Sequence, residues 1–211
     1  MTLITKPYLE QLSVWPRTGH HIMAQFDTDS ILVYQAYRPS IARYAIENQR
    51  FGGDFSFSRM SWIKPNFLWM MYRSGWAAKE GQEYILAVRL RRTFFDEILE
   101  KAVASTFSAS DCPTHEVWQT SLQSSEVRLQ WDPDHDPLGN SVERRAVQLG
   151  LRGEMLRRYG TEALLGIEDI TPFVREQRTH AADGFAQLVT PVEHIYQPST
   201  EAAALAVGID R

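Results

Sequence analysis

Residues 55–79 have the sequence FSFSRMSWIKPNFLWMMYRSGWAAK, which combines a dense apolar run with positive charge. The segment holds three of the six tryptophans, four basic residues and no acidic residue. Aromatic rings beside unpaired cations are typical of sites for nucleotides or polyanions. The same density of Phe, Leu, Met and Trp is typical of a hydrophobic core. The segment therefore supports two interpretations, a ligand site and a core element.

The composition indicates one globular domain. The chain has 211 residues, of which 44% are hydrophobic, enough for a substantial core. We expect an N-terminal arm over residues 1–20, a single domain over 21–182 and a C-terminal tail over 183–211. The one cysteine excludes an intramolecular disulfide, and no apolar run is long enough to cross a bilayer. These features predict a cytoplasmic protein without membrane contact.

Charge is unevenly distributed along the chain. Residues 55–92 carry a local charge of +5, whereas the whole protein has a net charge of −4. A local basic site on an acidic body suits a small or confined anionic ligand better than a long nucleic-acid duplex. The alternative is that these cations pair with carboxylates elsewhere in the fold.

Hydrophobic periodicity and turn residues predict an α+β fold, with a mostly antiparallel sheet and packed helices. Strands are expected at residues 22–26, 31–37, 84–92, 127–131 and 146–151. Helices are expected to begin at Pro39, Pro65 and Gly153, and after the capping residues Thr93 and Thr114.

The helix expected at Pro65 carries the main site hypothesis. If Pro65 is its first residue, Lys64 is the N-cap and cannot accept a hydrogen bond from the free N–H groups. Lys64, Arg59 and these N–H groups would then form an anion site. The alternatives are that Ser61 caps an earlier helix start or that a nearby carboxylate fills the site.

Residues 67–72 are apolar on every side, which predicts a helix that is buried on most faces. Arg73 follows in the same neighbourhood, and a buried guanidinium needs either a carboxylate, such as Asp132 or Glu168, or a ligand anion. The tryptophans of the segment are more typical of a core than of base stacking.

We expect no metal site, because Pro137 replaces the bend glycine in the calcium-like spacing from Asp132 to Glu143.

Five runs of the sequence resemble the successive signatures of one uncharacterised family, domain of unknown function 4291. They lie at residues 33–37, 59–76, 127–133, 147–151 and 167–172. The central run is long enough to be specific. The chain is thereby identified as a member of this family, which brings no established activity.

The strand and helix over residues 31–51 also resemble the opening unit of ADP-ribosyltransferase-like proteins. The resemblance implies NAD as a cofactor, with Gln35 and Tyr37 orienting the ribose and Glu168 stabilising positive charge at it. It also implies pyrophosphate binding by Arg73 or Lys64 and nicotinamide stacking by Trp62 or Tyr72. Those families have a His or Arg near the position of Gln35, and this sequence departs from that pattern. The resemblance is therefore an analogy at the level of the fold.

Two functions follow as hypotheses. The first is a transferase that binds NAD or another phosphate-bearing nucleotide and acts on RNA or protein, with Glu168 and Gln35 as catalytic residues. The second is a non-catalytic module that binds RNA or a small anion. Both predict one pocket, whose expected ligand-binding residues are Tyr37, Arg59, Trp62, Lys64, Tyr72 and Arg73. The expected partner is a phosphate-bearing small molecule or an RNA end.

Overall fold

The computed structural model describes residues 3–210, which form eight α-helices and eleven β-strands. The strands are β1 (Thr5–Pro7), β2 (Met23–Ala24), β3 (Ser30–Tyr37), β4 (Ser61–Ile63), β5 (Tyr84–Arg91), β6 (Ala102–Ala104), β7 (Val127–His135), β8 (Ser141–Leu151), β9 (Leu164–Asp169), β10 (Val189–Pro191) and β11 (His194–Ile195). The helices are α1 (Tyr8–Leu12), α2 (Pro39–Asn48), α3 (Phe67–Ser74), α4 (Arg92–Glu100), α5 (His115–Ser124), α6 (Gly153–Thr161), α7 (Thr171–Ala182) and α8 (Glu201–Val207).

Two sheets form the centre of the domain. The larger has the strand order β4-β8-β7-β6, and the smaller has the order β3-β5-β9. Among the described strand pairs only β6 and β7 run parallel, and β1-β10 and β2-β11 form two short antiparallel ribbons. The predicted single α+β domain with mostly antiparallel strands is confirmed.

The two faces of the smaller sheet belong to different hydrophobic cores. Ile31 and Val33 of β3 pack into the main core, which also contains the inner face of the larger sheet and helices α4 and α6. Leu32 and Tyr34 point the other way, into a second core with α3 and α7. Because side chains alternate along a strand, neighbouring residues of β3 serve separate cores.

Helix α3 begins two residues later than the sequence predicts. Its N-cap is Asn66, whose Oδ1 accepts the Trp69 N–H at 2.7 Å. The carboxylate of Glu193 accepts the Phe67 N–H at 2.6 Å. The prediction that Lys64 caps this helix is wrong, because Asn66 supplies the acceptor that lysine lacks. The helix ends, as predicted, at Gly75, which has a φ of 60°.

The predicted burial of α3 is confirmed for most of the helix. Residues 67–71 and Ser74 are buried, packed against the smaller sheet and α7. Tyr72 and Arg73 lie on the solvent side of the last turn and are exposed. The prediction that Arg73 is buried is therefore wrong, since helical rotation turns its side chain away from the core.

Other boundaries depend on backbone contacts that the sequence pattern does not reveal. Helix α4 begins at Arg92, before the expected cap Thr93, and no side chain caps it. Thr114 caps α5 as predicted, with its Oγ1 accepting the Val117 N–H at 3.2 Å. The first expected strand shortens to β2, which pairs with β11 near the C-terminus, while Phe26 after it forms an antiparallel bridge with Ile31 of β3.

Both terminal segments pack against the central domain. The expected arm contributes β1, which pairs with β10, and helix α8 of the expected tail packs on α4. Tyr196 is fully buried and donates a hydrogen bond from its hydroxyl to Asp96 at 2.6 Å. Within residues 3–210 the structure contains no helix with the length and apolar character needed to cross a membrane.

We predict that Phe67→Ala lowers the free energy of unfolding by about 3–5 kcal/mol, because Phe67 is fully buried in the second core. Urea denaturation measures the loss. Arg73→Ala on the exposed face of the same helix is the control and is expected to change stability by less than about 0.5 kcal/mol. Equal effects of the two substitutions would contradict the packing described for α3.

Candidate functional site

A cavity of about 560 Å³ lies where the two sheets meet. Its walls come from the end of β3, strand β4, helix α3 and the paired strands β7 and β8. The sheets meet there through one bridge, in which the Tyr34 N–H donates to the Lys64 carbonyl oxygen at 2.7 Å. The volume is in the range of small-molecule sites in proteins.

The structure brings five of the sequence-predicted site residues to this cavity. They are Gln35, Tyr37, Trp62, Lys64 and Arg73. Further lining residues that sequence reasoning missed include Ser61, Trp69, Gln82, Gln130 and Gln148. One of the missed residues carried a signal, because Gln148 is the single polar side chain in the apolar stretch of residues 146–151.

Three predicted site residues lie elsewhere. Arg59 is exposed in the loop before β4, outside the cavity lining. Tyr72 stacks on His135 with the ring centroids 3.5 Å apart. Glu168 is exposed on β9 and is opposite Ala87 of β5 in the strand register. Gln35 of β3 is opposite Leu86, the preceding residue of the same strand. Since neighbouring residues alternate, Glu168 and Gln35 lie on opposite faces of the smaller sheet.

The Gln35 amide joins three elements at the base of the cavity. Its Nε2 donates to Ser61 Oγ at 2.9 Å and to the Trp62 carbonyl oxygen at 3.1 Å. The Tyr159 hydroxyl of α6 donates to its Oε1 at 2.6 Å. Both amide hydrogens are thus used within the protein, so Gln35 has only acceptor capacity left for a ligand.

Tyr37 extends this hydrogen-bond network. Its hydroxyl lies 2.9 Å from Ser61 Oγ, and burial raises the pKa of Tyr37 above its ordinary value. Tyr37 is therefore a neutral phenol at physiological pH. Together the two hydroxyls form a polar edge to the cavity beside the aromatic cluster of Phe51 and Phe55.

Lys64 provides a buried positive charge. Its side chain is 4% exposed, and its Nζ lies 4.6 Å from the centroid of the Trp69 ring. The pKa of Lys64 is lowered to about 7, mainly by burial and also by the nearby Arg73 guanidinium, against the opposing charge of Asp132. No carboxylate among residues 3–210 lies within ion-pair distance of its ammonium group.

Two more hydrogen-bond donors without partners line the same cavity. Trp69 Nε1 is buried and has no acceptor within the described part of the chain. Arg73 at the cavity rim likewise has no ion pair or side-chain hydrogen bond with a described residue. Buried polar groups in proteins are normally satisfied, so unsatisfied donors around a cavity favour an acceptor ligand.

Trp62 reaches the cavity because its partner on β8 is glycine. Trp62 and Gly150 are opposite each other in the pairing of β4 with β8. A Cβ atom on Gly150 would lie 3.0 Å from Trp62 Cε2 and 2.7 Å from Met60 Sδ. Any larger residue at this position would displace the indole ring, which is half-buried and available for stacking.

Within residues 3–210, His, Cys, Asp and Glu side chains form no group of three or more that could hold a metal ion. The calcium-like spacing from Asp132 to Glu143 lies on the β7–β8 hairpin, whose turn is closed by Asp136 through hydrogen bonds to the N–H groups of Leu138 and Asn140.

Comparison with known proteins identifies the family. Residues 21–196 match the family model described as Domain of unknown function (DUF4291), so the chain belongs to this family. No curated protein matches the chain. Four of the five runs that carry the resemblance contribute residues to the cavity lining, including Gln35, Lys64, Gln130 and Gln148.

We predict that Gln35→Leu lowers the free energy of unfolding by about 1–3 kcal/mol, because it leaves the buried Tyr159 hydroxyl without an acceptor. Urea denaturation tests this. Gln82→Leu is the matched control, since Gln82 lines the cavity without a described side-chain hydrogen bond and should cost less than about 0.5 kcal/mol. A neutral Gln35→Leu would show that the amide does not hold the sheets together.

Proposed function

We propose that this member of the family binds a phosphate-bearing nucleotide in the cavity between the two sheets. The observation that carries the proposal is the set of donors without partners, Lys64, Trp69 and Arg73, around one cavity of suitable size. A phosphate oxygen accepts hydrogen bonds from all three donor types and compensates both positive charges.

Electrostatics favour an anionic occupant. The Arg73 guanidinium is close enough to lower the pKa of Lys64, so the two positive charges repel each other in a partly desolvated site. A phosphate or diphosphate would reverse this effect. The overall charge of −4 favours a confined anion over a long nucleic-acid strand. A free nucleotide or the terminal phosphate of an RNA has the required chemistry.

A transferase reaction of the ADP-ribosyltransferase type requires a carboxylate beside the bound ribose. Glu168 does not supply it, because it lies outside the cavity on the other face of the smaller sheet. Among the acidic side chains, Asp132 lies behind the lining glutamines Gln130 and Gln148 and is hydrogen-bonded to both. We therefore propose ligand binding, and NAD is one of the nucleotides to test.

We predict that NAD, AMP or ATP raises the stability of the wild-type protein, by roughly 2.7 kcal/mol at a hundred times the dissociation constant. Lys64→Met should abolish this stabilisation because it removes the buried charge. Arg73→Lys should weaken it, because the planar guanidinium fork is lost while the charge remains. Thermal unfolding with and without each nucleotide measures the effect, and a 5′-phosphorylated short RNA tests the alternative ligand.

Arg59→Ala is the matched control for these variants, because it removes an exposed cation outside the cavity. It should retain the full ligand-dependent stabilisation. Stabilisation of equal size in the wild-type protein, Lys64→Met and Arg73→Lys would refute the site. Stabilisation by none of these nucleotides or the RNA would refute the proposed function.

We predict that NAD affinity falls as the pH rises above about 7. The pKa of Lys64 is lowered to about 7, and a bound diphosphate must raise it, so binding takes up a proton above that pH. The dissociation constant should then increase by up to about tenfold per pH unit until the pKa of the complex is reached. Calorimetric titrations between pH 6 and 9 measure this slope.

The slope should be absent in Lys64→Arg, because arginine remains charged throughout this pH range. Inorganic phosphate is a poorer probe, since its own titration near neutral pH overlaps with that of Lys64. An affinity of the wild-type protein that stays constant from pH 6 to 9 would contradict the assignment of Lys64 to the phosphate.

A further inference from the structure

Two glutamines form a second, chemically different wall of the cavity. Gln130 on β7 and Gln148 on β8 are direct partners in the strand register, and both line the cavity. Directly opposite residues of antiparallel strands have their side chains on the same face, with Cβ atoms about 5 Å apart. The two amides therefore lie side by side and can contact one ligand group.

Asp132 fixes the orientation of both amides. Gln130 Nε2 donates to its Oδ1 at 2.8 Å, and Gln148 Nε2 donates to its Oδ2 at 2.6 Å. An ionised carboxylate only accepts hydrogen bonds, so in each glutamine the nitrogen must face Asp132. Each carbonyl oxygen is consequently held on the side of the amide away from Asp132.

The two carbonyl oxygens have no partner within residues 3–210. Donation to a carboxylate polarises an amide and makes its oxygen a stronger acceptor. The wall thus presents two adjacent acceptors that can take both hydrogens of a single amino group. Lys64 and Arg73 line the same cavity and present donors, so one ligand in the cavity can meet both donors and acceptors.

Resting on the proposed nucleotide binding, we propose that Gln130 and Gln148 bind the exocyclic amino group of the nucleobase. The cavity then selects adenine and cytosine nucleotides over their oxo counterparts, hypoxanthine and uracil. The Trp62 ring, opposite Gly150 in the strand register, lines the same cavity and supplies a stacking surface. A nucleotide carries the three matching groups, a phosphate, a planar base and an amino group.

The experiment compares ligands that differ only in this group. Calorimetric titration of the wild-type protein with AMP and IMP, and with CMP and UMP, should show about tenfold or greater preference for the amino-bearing member of each pair. This is the scale of one well-placed amide contact to a base. Equal affinities for AMP and IMP would overturn this proposal alone, whereas the absence of binding by every ligand tested, including NAD, ATP and the phosphorylated RNA, would overturn the proposed function as well.

Variants assign the preference to the glutamines. Gln148→Met should reduce the AMP/IMP ratio to near one. Asp132→Asn should reduce the ratio as well. An asparagine side chain can donate hydrogen bonds as well as accept them, so it no longer fixes the orientation of the two glutamine amides. Gln123→Met on the exposed surface of α5 is the control and should keep the wild-type ratio. A preference retained in Gln148→Met would overturn the assignment.

Discussion

The Gln35 amide is the connection on which the arrangement of this protein depends. It accepts the Tyr159 hydroxyl of α6 and donates both hydrogens to the segment that forms β4. One side chain of the smaller sheet thereby fixes the start of the larger sheet. The cavity exists because these two sheets meet at a bridge of backbone and amide contacts instead of a continuous ladder.

This junction also explains why a lysine is buried. Lys64 lies in the bridge between the sheets, so its backbone is held in place and its side chain must enter the adjacent space. There it contacts the Trp69 ring and remains 4% exposed. Burial of a cation without a carboxylate partner is costly, and it is consistent with a site whose anion comes from outside the protein.

The cavity presents two kinds of polar group. Lys64 and Arg73 present donors, whereas the β7–β8 wall presents the carbonyl oxygens of Gln130 and Gln148, oriented by Asp132. Because the amides are fixed by a hydrogen bond within the protein, they need little reorganisation when a ligand binds. A ligand with an anionic group and an amino group satisfies both kinds of group at once.

The sequence by itself determined the α+β class, the family, the buried character of residues 67–71 and several cavity residues, because hydrophobic periodicity and long motifs are local properties. It did not reveal that Glu193, 126 residues away, accepts the Phe67 N–H at the start of α3. It also placed Glu168 in the site and predicted that Arg73 is buried. Only the tertiary structure decided these points, because strand register sets the face of each residue and helical rotation sets its exposure.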